Sequence, residues 1–302
     1  MLWRTWIVLG LFSLNVGCEQ TSSTAPPKDE LLSNNAKPKG GPLRDDHPQE
    51  ALTEDLEDRS LTTDQYVKLG LPKCDRPWSS ADMSRAAKAL AEIAKRDPRE
   101  LPRFKSDNSG KVFARITSDE NLDSIRKKSW PVSVRTGFAL QYLHAAASIG
   151  KLYGAAAIDQ KAASDETTEI LGLTLRIAVV LKDLSDEVLP TLDQKDPTYA
   201  VRVKGLKQLT AGLGPVLQGL MTQALATKKL KPETQTRLLE YLDKTLPSLV
   251  KVLPTKARED VRAKLKTLSE RPEFAEHQQD FEPLLEKISQ SLEESPPNEP
   301  DR

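Results

Sequence analysis

Two cysteines, three histidines and an aromatic content of 5% are all that this 302-residue chain has of the residue types that most often build reactive or cofactor-holding centres. Nowhere does a nucleophile stand beside a base, nor do paired carboxylates sit on an apolar background or metal ligands recur at coordinating spacing. The three histidines are scattered, at His47, His144 and His277. Gly110-Lys111 lacks the rest of a phosphate-binding loop, which gives no support to a nucleotide site. Alternating apolar and polar runs are nearly missing, and this argues against a sheet fold. Net charge is also absent, with 44 basic and 44 acidic residues. These deficits point away from an enzyme with a compact motif, from a metal site and from any required cofactor. Few aromatic residues accompany the bases, so nucleic acid is not an expected partner either.

What is present begins at the N-terminus. Arg4 precedes an uncharged stretch from Thr5 to Gly17, too short to span about 30 Å of hydrocarbon as a helix but suited to a secretory signal. It closes in Leu14-Asn15-Val16-Gly17-Cys18. This run resembles the lipobox of bacterial lipoproteins. The resemblance implies removal of residues 1–17 and acylation of Cys18 as the first mature residue; it is confined to this segment. Asn15 departs from the pattern, whose usual Leu stands one position earlier as Leu14. Glu19 resembles the default residue for outer-membrane delivery in a host with two membranes, where the domain would face the periplasm or the cell surface. Each buried methylene is worth about 0.8 kcal/mol, so several acyl chains hold firmly without a membrane-spanning helix. With Cys18 acylated, Cys74 would be the one remaining free thiol, which excludes an intramolecular disulfide and leaves Cys74 as a small, partly buried residue.

From Cys18 to about Leu61 the composition turns to Pro, Ser, Asn, Asp and Lys, as in Lys37-Pro38-Lys39-Gly40-Gly41-Pro42. Too little apolar surface is available to offset chain entropy, so residues 18–61 are expected to form a disordered tether of roughly 35 Å typical reach. Glu19–Leu61 carries ten acids and five bases, whereas Thr62–Leu292 carries thirty-seven bases and thirty acids. The overall neutrality therefore hides an acidic tether and a basic domain. Residues 293–302, with Pro296, Pro297 and Pro300, read as an acidic disordered tail.

Residues 62–292 are rich in Leu, Ala, Lys and Glu, and the spacing of their apolar residues predicts an all-α fold, either a multi-helix bundle or a short array of α-hairpins with kinked central helices. Ser79 and Asp82 form a capping-box pattern, with Trp78 and Met83 as its hydrophobic staple. That helix should end at Asp97-Pro98, and Ser106–Gly110 reads as a surface turn. Lys111–Thr117 reads as a short strand or extended loop. Further helices are expected over 119–128, 132–157, 165–189, from Asp196 as cap with Pro197 first, from Pro232, and over 255–270 and 274–292. The second of these has no charge between Arg135 and Lys151, which predicts a central, surrounded helix with His144 in the core and a close-packing ridge at Ala146, Gly150 and Gly154. The 165–189 stretch reads as an amphipathic helix. Gln208–Thr227 is uncharged and of membrane-span length, but its glutamines, threonines and glycines favour a buried central helix, bent at Gly214-Pro215. Leu239, Leu242, Leu246, Leu249 and Leu253 predict a helix-packing seam.

Val188-Leu189-Pro190-Thr191 recurs as Val252-Leu253-Pro254-Thr255, which would suit a duplicated helical hairpin. If the two hairpins pack together, Arg202, Lys204 and Lys207 would join Arg258, Arg262 and Lys266 in one basic surface, open to anionic lipid, polysaccharide or an acidic partner. The interleaved Glu259, Asp260 and Glu270 favour an ordinary solvated face instead. The functional expectation is a membrane-anchored, non-catalytic module that binds or scaffolds an envelope protein. The alternative is a small-molecule carrier, or an enzyme with a pocket between the central helices.

Overall fold

The structure is a computed structural model that describes residues 59–155, 163–226 and 231–293. The signal segment, Cys18, His47, almost all of the tether and the tail beyond Glu293 lie outside the described residues. Every regular element among the described residues is helical, and they form an all-α multi-helix bundle. In chain order these are α1 (Thr63–Lys68), α2 (Ser80–Arg96), α3 (Gly110–Thr117), α4 (Glu120–Arg126), α5 (Val132–Ala155), α6 (Ser164–Val188), α7 (Tyr199–Ala226), α8 (Pro232–Val250), α9 (Thr255–Ser269) and α10 (Gln278–Glu293). Short 3₁₀ turns cover Pro98–Glu100, Leu189–Thr191 and Pro272–His277.

Local chemistry sets several of these boundaries. Thr62 and Gln65 form a full capping box at α1, and Ser79 and Asp82 form another at α2. Each box satisfies amide groups that a helix start leaves unpaired. Trp78 and Met83 are both buried beside the second box, and the indole Nε1 donates to the Lys73 carbonyl at 2.8 Å. Trp78 is therefore a structural staple. The folded part begins slightly earlier than the composition suggested. Ser60 is buried, and its hydroxyl oxygen accepts from Ser109 Oγ at 2.8 Å, so the turn at residues 106–110 has a buried underside. Lys111–Thr117, expected as strand or loop, is helical as part of α3. Its Val112, Phe113 and Ile116 share one buried face at helical spacing, which a strand would have split between two. The helix expected from Asp196 starts at Tyr199, because the Asp196 carboxylate accepts from the Thr198 amide and hydroxyl, each at 2.7 Å, and holds the preceding residues in a turn.

Packing runs α2 on α5, α5 on α6, α6 on α8 and α8 on α10, while α9 lies against both α7 and α10, and α7 returns to α6. The hairpins α6–α7 and α8–α9 are thus neighbours. One apolar cluster extends from Tyr66 through Phe113 and Tyr153 to Phe274, Phe281 and Ile288. The whole seam from Leu239 to Leu253 is buried, as its spacing required. Pro247 and Pro283 lie inside α8 and α10, each removing one donor from the helical ladder.

The central helix is α6, not α5. Residues 168–175 of α6 are buried on every side, which corrects its reading as a one-faced amphipathic helix. By contrast, Ser133, Gly137, Gln141, His144, Ser148 and Lys151 line an exposed stripe of α5, so His144 is not a core residue. Lack of charge did not mean burial there, because small and neutral polar side chains face water without cost. Of the expected ridge, Ala146 is buried and a Cβ on Gly150 would stand 3.3 Å from Ile170 Cγ2, but Gly154 is exposed. The first half of α7 is largely exposed, while Leu213, Gly214 and Leu217 face inward within the stretch expected to be buried; the side chains from 218 to 226, and Thr227, lie outside the described residues. The helix continues through Pro215, and Gly214 allows a close approach, since a Cβ there would meet Ala257 Cβ at 3.2 Å. No helix among the described residues is long and apolar enough to cross a membrane.

Candidate functional site

Two places concentrate polar chemistry: the faces of α7 and α9 that carry the expected basic surface, and a charge cluster between α6 and α8. The two basic helices do pack together. Arg258 nevertheless leaves the surface. It is buried, and its guanidinium donates to the Ser291 carbonyl near the C-terminus of α10 and to Thr255 Oγ1 at 3.4 Å. Its charge complements the negative end of that helix, a structural task. Arg202 is exposed and lies 3.6 Å from Asp196. Lys204, Lys207 and Arg262 are exposed, and Lys266 stands 3.9 Å from Glu270 across one helical turn. Glu259, Arg262, Lys266 and Glu270, on one side of α9 and at its end, border an open groove between α9 and α10 with Leu285 and Leu292 as its apolar part. Two acids against two bases make this groove electrically balanced. The basic surface is consequently a mixed-charge face.

The repeated Val-Leu-Pro-Thr segments take unequal places. Each follows one helix and leads into the next, yet Leu189 is half exposed and Leu253 is buried. In the first copy the segment forms a 3₁₀ turn, and in the second it starts α9.

The second cluster was not legible in the sequence, because its members lie some seventy residues apart. Asp165, Glu166 and Glu169 occupy the first turns of α6, where the helix dipole favours negative charge. Arg237 from α8 reaches Asp165 at 2.6 Å and Glu169 at 2.9 Å, and its guanidinium lies 4.6 Å over the Phe104 ring. Arg237 Nε and Glu169 Oε1 are close but do not complete a directional hydrogen bond, so theirs is an ion pair only. Tyr241 donates to the other Glu169 oxygen at 2.7 Å, and Thr234 donates to Asp165. Burial alone would raise the Asp165 carboxyl, but the Thr234 hydroxyl, Lys231 and Arg237 outweigh it and hold the carboxyl below its usual range.

Glu166 behaves in the opposite way. Its Oε1 accepts from the Phe104 amide at 2.9 Å, while buried Oε2 has no hydrogen-bond partner and lies 3.9 Å from Arg103. Burial pushes this carboxyl up, and the Arg103 charge and the Phe104 amide offset only part of that rise. The cluster thus ties the 103–104 segment to α6 and α6 to α8. Apart from Glu166 Oε2, its groups are engaged with one another, and they form no nucleophile and base pair. Among the described residues, no group of three or more His, Cys, Asp or Glu is placed to hold a metal ion.

His144 projects from the exposed stripe of α5. His277 lies 3.0 Å from Asp280 across one turn of the chain, with the Phe274 ring edge-on behind it. Cys74 is half buried, and burial pushes its thiol up, away from the reactive thiolate. Comparison of the chain with family models, curated proteins and solved structures returned no match.

Proposed function

We propose that this chain is a lipoprotein of the cell envelope, held in the membrane through acylated Cys18 and carrying a non-catalytic helical module that binds or scaffolds an envelope protein. The observation that carries this reading is the uncharged segment Thr5–Gly17 closed by Leu14-Asn15-Val16-Gly17-Cys18. Glu19 supports outer-membrane delivery where the host has two membranes, with the domain facing the periplasm or the cell surface. The composition of the following residues supports a tether, which raises the local concentration of the domain at the membrane without fixing its orientation. The interior supports a binding rather than a catalytic role. Its apolar groups pack on one another, and its buried Glu169 and Arg258 and half-buried Asp165 and Arg237 are engaged with protein groups. What remains for recognition is the outer surface, including the open groove between α9 and α10.

The test is cross-linking of the full chain in intact host cells, with Cys18→Ser as control. Recovery of one discrete envelope protein that is lost in the control is the expected result. Efficient cross-linking that recovers the chain alone would overturn the scaffold reading. A tightly held small molecule in native mass spectrometry would then place the chain among carriers.

A further inference from the structure

Trp130 is 52% exposed, an unusual position for the largest side chain in a protein with so few aromatic residues. It lies in the turn Lys127-Lys128-Ser129-Trp130-Pro131 that joins α4 to α5, and all five residues of the turn are exposed. The turn is nevertheless firmly built. Buried Arg135 donates from Nε to the Trp130 carbonyl at 3.1 Å, and its Nη2 donates to Glu187 near the end of α6. The indole stands edge-on to Phe138, with ring centroids 6.3 Å apart. Trp130 is one of the four large apolar side chains that face solvent among the described residues.

The charges near the turn are unequally occupied. Arg126 is neutralised by Asp119 at 2.7 Å and Asp123 at 3.5 Å, and Glu187 is engaged by Arg135. Glu187 also feels Lys128, but no carboxylate is ion-paired with Lys127 or Lys128 among the described residues. The outward chemistry of the turn is two ammonium groups without an ion-pair partner among the described residues, beside an indole. Ammonium groups suit lipid phosphates, and an indole suits the boundary between headgroups and acyl chains. One indole offers far less than the roughly 1,000 Å² that a specific protein interface needs, whereas a bilayer demands no matching shape.

We propose that the Lys127–Pro131 turn is a membrane-facing contact that docks the helical domain on an anionic lipid surface. This rests on the anchored reading above, because a contact of this size holds a domain only when a tether already keeps it near the bilayer. Once docked, the turn fixes which side of the bundle faces away from the membrane.

The chain that begins at Cys18 retains two tryptophans, and because buried Trp78 also emits, Trp130 emission is read as the difference from a Trp130→Phe variant. The chain is reconstituted on vesicles with brominated acyl chains, either of phosphatidylcholine alone or with about one third phosphatidylglycerol. We expect about a twofold loss of Trp130 emission on the anionic vesicles alone, abolished by Lys127→Glu together with Lys128→Glu while the chain stays vesicle-bound and helical. Equal emission on both vesicle types would overturn the proposal, as would quenching indifferent to the lysine changes. Protection of Trp130 that needs no vesicle and grows with protein concentration would assign the turn to a second copy instead. Acylation is scored separately, from the mass of the Cys18 peptide. An acylated chain without Trp130 quenching refutes this contact alone; lysine-dependent quenching in a chain without acyl groups refutes the anchor alone.

Discussion

At single residues, the packing around α6 gives opposite expectations for chemically identical changes. A Cβ on Gly172 would lie 2.5 to 2.6 Å from the Tyr241 ring, which is itself fixed by Glu169. Gly172→Ala should therefore destabilise the domain by about 1–3 kcal/mol, despite the better helix propensity of alanine. Gly137, in α5, has nothing within 4 Å of the same position. Gly137→Ala should stabilise by about 1 kcal/mol, and urea unfolding of both variants checks the pair. Glu166 gives a pH expectation. Its carboxyl is raised by burial, so the folded state holds the proton more tightly than the unfolded chain. The contribution of Glu166 is full below its ordinary value of 4.5 and is lost as pH rises through the folded value. Asp97 has the reverse sign: the Arg99 side chain and amide hold it at about 2, so its contribution is present above the ordinary carboxylate range and fades only as pH falls through that value. Glu166→Gln keeps an oxygen for the Phe104 amide and removes the titration. Its unfolding midpoint should gain on that of the parent as pH rises from 4.5 toward neutrality; a constant difference would show that Glu166 does not titrate as described.

At the scale of elements, the helices whose boundaries rest on local chemistry were legible in the sequence. Ser79 with Asp82 announced α2, and the leucines from 239 to 253 announced the buried face of α8. Loss of the Ser79 cap in Ser79→Ala should cost about 1 kcal/mol, and Leu242→Ala about 2–5 kcal/mol, both measurable by denaturant unfolding. Features that depend on contacts between distant elements were not legible. Arg258 looked like one cation of a four-residue series, and only the arrival of α10 makes it a buried partner of the Ser291 carbonyl. Likewise the charges of α6 suggested a wetted face, but Arg237, Tyr241 and Thr234 from α8 meet them inside. The uncharged run in α5 misled in the other direction, since neutral polar groups at Gln141, His144 and Ser148 are content in water. Arg258 makes its own prediction. Arg258→Ala should be strongly destabilising, because it leaves an orphaned helix end and a void, whereas an exposed cation such as Arg262 should tolerate alanine within about 0.5 kcal/mol.

For the whole molecule, the account joins a helical domain to a lipid anchor. Interior chemistry is directed at holding α6, α8 and α10 together, and the surface carries the features available for recognition. Under the proposed anchoring, the Trp130 turn would orient the tethered domain, and the balanced groove between α9 and α10 would be a separate face for a partner. Each of these roles assumes that the molecule is at the membrane. The most direct measurement is therefore the mass of the N-terminal peptide of the protein isolated from its own host. The account predicts a chain that begins at Cys18 with covalent acyl groups and that enters the soluble fraction when Cys18 is replaced by Ser. A mature chain with an unmodified Cys18, or one still bound to membranes after that replacement, would contradict it.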